Sequence, residues 1–545
     1  MARMVQGYPE TSRAGRGGRI RALAAERYIS RFEVSRSIAF LEKALELNPR
    51  SAESRCKLAA ILSDVGLNYA AAEHLEYVVR NEPGSLLAQF QLGQVRAALG
   101  WFDQAAEHMR PLSTASRSSP HWNSEIKRVV ERLARDRSEV RQLLAARKAF
   151  SDANSSRLTL YRLIVLLTGI GWPRASLRLF NWLDKELAAR GGASPKVAAQ
   201  VLTRASSIDA AIEYLSQRWS RQRGDVMVGE ALAASLFERQ SYEAAAEIAK
   251  HLIDRSPSRA AFGLAATIAF LKDNIAECLD VASRWLKSDP RSTGASKNAL
   301  LALYRLGQLS LITELPSPTR ETAGPIIPQK IFQFWDTASP PVEVEALMNT
   351  WSEKNRSYQY VRFDDSSAAA FMEQAFPSWF SEALLYCHHP AMRSDLIRLA
   401  YLFVHGGIYV DADDECLQPI DRVFSQLGGN ASFIVSAAKL QPIHLNNWFI
   451  ASVPQHPILA DALRESCEGI LAFKAAGTRS DIWDTTGPGL LTRTVAKYLL
   501  RAKAEGRFPR EKLVILSYEV YSRTLVRSHE DLQYKQTSHG NWRLV

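Results

Sequence analysis

The sequence predicts a chain in two parts: an all-α helical repeat region, then an α/β domain. Three observations point there. Residues from about 35 to 310 are rich in Ala and Leu, with helical periodicity and few strand signals. The segment Leu315 to Pro325 is rich in Pro, Ser and Thr and reads as a linker. Beyond it, short β-prone runs alternate with helical segments, which implies a largely parallel or mixed sheet. A length of 545 residues also exceeds one ordinary core. The expected parts are a basic arm at 1–34, helical repeats at 35–314, a linker at 315–325 and the α/β domain at 326–545.

The arm carries many Arg and Gly and no apolar period, so it reads as a solvated, disordered arm in preference to a nucleic-acid tail, and no nucleic-acid partner is expected. The repeat shows in four pairs: Leu58 and Leu92, Gly66 and Gly100, Ala71 and Ala105, and Pro49 and Pro83 each lie 34 residues apart. That is the tetratricopeptide period. Small residues let paired helices approach, Gly sits near the turn between them, and Pro stops the second helix. A weaker set runs from Ala231 to Pro290, with Pro257 and Pro290 separated by 33. Residues 120–225 read as helical without clear period. In the second part, β-prone runs fall at Lys330–Trp335, Tyr358–Phe363, Gly407–Val410, Ser432–Ser436, Trp448–Ser452 and Lys512–Tyr518.

The formal net charge is +11, from 68 Lys and Arg against 57 Asp and Glu. Such a balance suits phosphorylated substrates or an anionic surface and selects neither. Five cysteines without CxxC spacing argue against a zinc ribbon or a disulfide framework, and fit a reducing compartment. No apolar h-region opens the sequence, and the apolar stretch Leu160–Trp172 is too short to span a bilayer. The expected location is the cytoplasm, or the inner face of a membrane as a peripheral protein.

The chemistry concentrates in 391–415. A helical period over Ala391–Val404 puts Asp395 and Arg398 on one face. Gly406-Gly407 ends the helix and permits a tight turn. A short strand then delivers Asp411 and Asp413. On an extended chain, i and i+2 point the same way, so two carboxylates on one face make a site for Mg²⁺ or Mn²⁺. In an open α/β sheet, ligands bind beyond the carboxyl ends of strands. Taken alone, Asp411-Ala-Asp-Asp-Glu415 also fits a solvated acidic turn, and Asp395–Arg398 a surface ion pair. His388-His389 before Pro390 reads as a helix start, His405 as a helix end, and Asp364 as a helix cap.

Ile327–Trp335, Trp351–Tyr360, Arg393–Arg398 and Gly406–Asp413 come in one order, followed by Asn447–Pro457, Thr486–Pro488 and His539–Trp542. Together they resemble the sugar-binding DXD-motif glycosyltransferases of family 32 over residues 325–545. The resemblance implies a GT-A (Rossmann-like) fold, Mn²⁺ or Mg²⁺, a nucleotide-sugar donor and retention of anomeric configuration. It also implies residue roles. Trp335 stacks the donor's base, Asp395 and Arg398 grip the transferred sugar, and Asn447 lies near it. Asp411 and Asp413 hold the metal, Asp413 directly. His539 is a third metal ligand, and Trp542 closes over the diphosphate. The sequence departs from the pattern at Ala412, at the extra acid Asp414, and at Gly-Asn-Trp542, where many relatives have Ser beside the Trp.

The function expected is a hexosyltransferase moving a sugar from a UDP- or GDP-sugar to a glycan, lipid-linked or protein acceptor. The repeats would recruit a partner or the acceptor. The alternative is an adaptor whose repeats do the work and whose α/β domain is inactive. No P-loop supports a phosphotransferase.

Overall fold

The computed structural model describes residues 34–114, 120–145, 155–188, 192–316, 326–427, 430–438, 443–507, 513–529 and 532–536. The expected arm, but for Val34, and most of the expected linker lie outside these residues. The chain divides into two compact units, Met1–Asn274 and Ile275–Val545.

The first unit is helical. Ala52–Asp64 pairs with Asn68–Asn81, and Leu86–Ala98 with Phe102–Met109. Gly66 and Gly100 take φ of 89° and 77° just past the first helix of each pair, which is open to Gly at little cost. Ala71 and Ala105 are fully buried between helices. Pro49 and Pro83 follow the helices Val34–Leu47 and Asn68–Asn81. The period then fails because Pro120–Ala145 is one helix of 26 residues. Regular pairs return with Val226–Glu238, Tyr242–Arg255 and Arg259–Leu271. All five cysteines are free and buried. Among the described residues, no helix is long and apolar enough to cross a membrane.

The second unit opens on the helix pair Ile275–Ser288 and Thr293–Arg305, which the sequence reading places in the repeats. Strand β1 (Leu311–Ile312) follows and pairs in parallel with β8 (Leu513–Leu516), so the sheet begins ahead of residue 326. The remaining strands are β2 (Lys330–Phe334), β3 (Gln359–Phe363), β4 (Gly407–Val410), β5 (Asp414–Cys416), β6 (Phe433–Ala437), β7 (Leu445–Ser452) and β9 (Val526–Ser528). Seven strands form one sheet in the order β1-β8-β6-β7-β4-β2-β3. Only β7 runs antiparallel to its neighbours, so the sheet is mixed, as expected. β5 and β9 form a small antiparallel ladder of their own. These two strands, and β1, are too short to carry a sequence period.

β4 and β6 are buried along their whole length, which accounts for their mostly apolar runs. Trp351, fully buried, packs with Ile331, Ile408 and Phe449 in the core beneath the sheet. On the other side, Phe332 stacks on Tyr401 of the helix Pro390–His405, ring centroids 4.1 Å apart.

Glu238 offers a test of the first unit. Its Oε2 accepts the backbone N–H of Tyr69 at 3.2 Å. Burial lifts its carboxyl to about 7, against the pull of hydrogen bonds from Tyr69 and Asn68. The folded value lies above the unfolded one, near 4.3. The carboxylate charge therefore destabilises the fold above pH 7, and that penalty fades as pH falls from 7 towards 4.3. Glu238→Gln should raise stability at pH 8 by roughly 2 kcal/mol and change little at pH 4.5. Urea unfolding midpoints of both proteins at the two pH values check this, and equal gains at both would refute it.

Candidate functional site

The helix Pro390–His405 sets the site. His389 caps it, its Nδ1 accepting the Ala391 N–H at 3.0 Å, and Pro390 takes the first helical position. The sequence reading of His388-His389 as a helix boundary therefore holds, as does His405 at the helix end and Asp364 as a cap, here within a capping box. Gly406 and Gly407, at φ 64° and 101°, turn the chain straight into β4. A Cβ on Gly407 would stand 2.8 Å from the Lys330 carbonyl oxygen, so only glycine lets β4 lie this close to β2.

Asp395 and Arg398 share a face, but that face is buried, not a surface. Arg398 Nη2 lies 3.0 Å from Asp395 Oδ1 and 3.2 Å from Asp411 Oδ1. Its Nη1 donates to the Asn447 carbonyl at 2.5 Å, its Nη2 to Ser394 Oγ at 2.9 Å, and its plane lies 4.1 Å over the Tyr409 ring. Burial disfavours the charge on Arg398, yet Tyr409, Asp411 and Asp395 together hold its pKa above the usual value. Asp395 Oδ1 also accepts from Asn447 Nδ2 at 2.7 Å, and its Oδ2 from Thr486 Oγ1 at 2.8 Å. Burial pushes the Asp395 carboxyl up, while Arg398, Thr486 and Asn447 pull it back.

The geometry of Asp411 and Asp413 corrects the strand argument. β4 ends at Val410, and 411–413 form a turn closed by the Asp414 N–H on the Asp411 carbonyl, so strand alternation does not apply. The two acids have separate partners. Asp411 takes the Tyr409 hydroxyl at 2.8 Å besides Arg398. Asp413 takes the Tyr534 hydroxyl at 2.7 Å and an ion pair with Lys535. They still feel each other: burial, then the charge of Asp413, lifts the Asp411 carboxyl to about 6 although Arg398 opposes it. Ala412 between them is buried with Val344 and Met348, with Trp335 and Tyr534 packed against them, so the turn is pinned by its middle residue. The extra acid Asp414 points away, under Tyr521 at 3.3 Å. Burial, Asp413 and Asp411 raise its carboxyl well above the usual range.

Trp335 follows β2, half-buried, its backbone N–H on the Phe363 carbonyl and its ring edge-on to Tyr534 at 5.0 Å. His539 and Trp542 lie outside the described residues. The structure thus joins Asp395, Arg398, Asn447 and Asp411 through direct contacts, and links Asp413 to Trp335 through Tyr534. Among the described residues no group of three or more His, Cys, Asp or Glu forms a ready metal cage. Two carboxylates carrying mutual repulsion are nonetheless the oxygen donors a hard cation takes, with water and phosphate completing its shell.

Sequence reasoning missed Thr486, Tyr409, Tyr534 and Lys535. Tyr409 stands two residues before Asp411, and Thr486 lies in a block that bears on the family resemblance, so both had a signal. Tyr534 and Lys535 had none.

Thr486→Val keeps the shape and removes one donor to a buried carboxylate. It should cost about 1 to 3 kcal/mol, read as a lower unfolding midpoint in urea. An unchanged midpoint would show that Thr486 bears no weight at Asp395.

Residues 341–433 match the family described as a glycosyltransferase sugar-binding region containing the DXD motif. Mannosyl phosphorylinositol ceramide synthase of Saccharomyces cerevisiae is 26% identical over 155 residues, 28% of this chain and 38% of that protein. Inositol phosphoceramide mannosyltransferase 2 of Schizosaccharomyces pombe is 28% identical over 174 residues, 32% and 46% of the two chains. Initiation-specific alpha-1,6-mannosyltransferase of Candida albicans is 26% identical over 204 residues, 32% and 53%. The chain spans about half the length, or less, of these curated relatives. Among solved structures, yeast Tom70 covers 53% of this chain and 88% of its own at 12% identity and a TM-score of 0.25. The PaToxG glycosyltransferase covers 43% and 83% at 16% identity and a TM-score of 0.24. Residues 341–433 thus match a glycosyltransferase sugar-binding region containing the DXD motif, a match that spans Asp411 and Asp413, on a chain whose earlier described residues form tetratricopeptide-like helical pairs.

Proposed function

We propose that this chain is a glycosyltransferase that moves a hexosyl group from a nucleotide-sugar to an acceptor hydroxyl with retention of configuration. The observation that carries the reading is the buried network of Asp395, Arg398, Asn447 and Thr486 lying against Asp411 at the carboxyl end of β4. Such a network orients its carboxylates before any ligand arrives, which is what preorganised catalysis needs.

In the reaction the bond from the sugar C1 to the diphosphate oxygen breaks. The acceptor oxygen bonds to C1 on the same face, and its proton passes to the departing phosphate. Asp411 and Asp413 are the residues to hold Mn²⁺ or Mg²⁺, which supplies Lewis-acid neutralisation of the leaving diphosphate. Asp395, fixed by Asn447 and Thr486, presents negative charge beside the developing oxocarbenium centre. Arg398 spends its donors on protein atoms and keeps Asp395 and Asp411 in register. Trp335 offers the donor's base a flat neighbour. Mannose is the sugar to test first, since the relatives are named for it. The helical pairs supply an acceptor or partner surface, and the cytoplasm or its membrane face is the proposed location.

A panel of UDP- and GDP-sugars with Mn²⁺, followed by mass spectrometry of hydrolysis and transfer products, tests the reading. At least one donor should turn over, and Asp413→Ala should lower its rate by about a hundredfold or more. Failure with every donor would leave the second unit as a binding module and the repeats as the working part.

A further inference from the structure

We propose that Lys535 is a built-in counter-cation of the DXD acids, which yields Asp413 to the divalent ion and then pairs with the donor's diphosphate. The inference rests on the glycosyltransferase reading and deepens it. Its ground is one oxygen. Asp413 Oδ2 receives both the Tyr534 hydroxyl, at 2.7 Å, and the Lys535 ammonium. It is therefore occupied twice by donors, and a metal ion bound through this oxygen would displace a positive charge of the protein's own.

The placement of that charge is fixed by the chain around it. β9 pairs with β5, so the segment after Ser528 starts directly beside the strand that follows the motif. Arg527 and His529 both close on Glu415, at 3.0 and 3.1 Å. Farther on, the Gln533 N–H donates to Glu343 at 2.9 Å, and Tyr534 packs against Trp335. The one-turn helix Gln533–Gln536 is thereby clamped between the motif and the residue proposed to meet the base. Lys535 Nζ also donates to the His529 carbonyl at 2.6 Å. That neutral acceptor stays available when Asp413 is taken by a metal.

Charge separates the two acids of the motif. Asp411 is already matched by Arg398, which has no freedom to leave. Asp413 is matched by Lys535, whose four-carbon stem swings and whose side chain is 23% exposed. With Asp413 holding a divalent ion, Lys535 would exchange that carboxylate for the donor's diphosphate as its anion. One lysine so serves two states: without metal it relieves repulsion among Asp411, Asp413 and Asp414, and with metal and donor it adds positive charge at the diphosphate.

The two roles have opposite signs on removal, which a purely structural residue would not show. Mn²⁺ alone is titrated into the full chain and followed by the loss of the free-ion paramagnetic resonance signal. UDP and GDP are then titrated at saturating Mn²⁺ by calorimetry. Lys535→Met should bind Mn²⁺ about three- to tenfold tighter and the better of the two nucleotides about tenfold weaker. Lys535→Arg keeps the charge and should stay near wild type in both. Tyr534→Phe removes a neutral donor only and should not reproduce the reversal. Unchanged or weaker Mn²⁺ binding in Lys535→Met overturns the counter-cation role, and unchanged nucleotide binding overturns the diphosphate role. Asp413→Ala separates the two levels. Mn²⁺ binding that is lost in Asp413→Ala but indifferent to Lys535 sinks only this inference. Absence of Mn²⁺ binding in both wild type and Lys535→Met sinks the metal-dependent reading with it.

Discussion

The Arg398 guanidinium is the constraint on which the site depends. A charge this deeply buried, 4% exposed, is tolerable only when it is paired and its donors are used. Its three nitrogens meet Asp395, Asp411, Ser394 and the Asn447 carbonyl, so three separate segments, the helix Pro390–His405, the turn after β4 and the start of β7, must converge on it. None of these segments can shift without leaving a buried donor or acceptor unmatched. That is why Asp395 and Asn447, far apart in sequence, stand 2.7 Å apart.

Around this fixed cation the acids take different roles from their surroundings alone. Asp395 is buried and hydrogen-bonded on both oxygens. Asp411 is shared between Arg398 and the Tyr409 hydroxyl. Asp413, held by Tyr534 and Lys535, has the partner most easily exchanged. Asp414, next in line, is driven towards the neutral form by burial and by its neighbours, so the third acid of the run supports the turn from beneath. Four carboxylates with similar intrinsic chemistry are thus sorted by burial and partner, the usual way in which one site separates the duties of like groups.

The parts of this structure legible in the sequence are those with a local period. The 34-residue spacing found the early helix pairs because Gly66, Ala71 and Pro83 each answer a local demand of turn, approach and termination. Gly406-Gly407 and the Asp395–Arg398 spacing found the helix, turn and strand that carry the motif. The strand alternation argument for Asp411 and Asp413 failed because the ladder ends at Val410 and a turn begins, a boundary that a pair of acids does not mark. Thr486, Tyr534 and Lys535 reach the site across 91 and 121 or more positions of chain, and no local pattern reports such a meeting.

The division of the helices has the same kind of cause. The period does not reveal that Ile275–Ser288 and Thr293–Arg305 belong with the sheet, because their internal sequence is that of a repeat. A buried arginine ties the start of the second of them to the sheet-bearing unit. Arg493, 4% exposed, donates to Thr293 Oγ1 and to Asp484 Oδ1, each at 3.0 Å, and pairs with Glu465. Thr293 closes the triangle by donating to Asp484 at 2.7 Å. Asp484 lies two residues before Thr486, whose hydroxyl holds Asp395. A repeat-type helix therefore starts within one short polar chain of the carboxylate proposed to face the sugar. Because a buried guanidinium is costly to leave without its partners, any displacement of that helix start would be felt at Arg493 and Asp484 first and at the Thr486–Asp395 bond next.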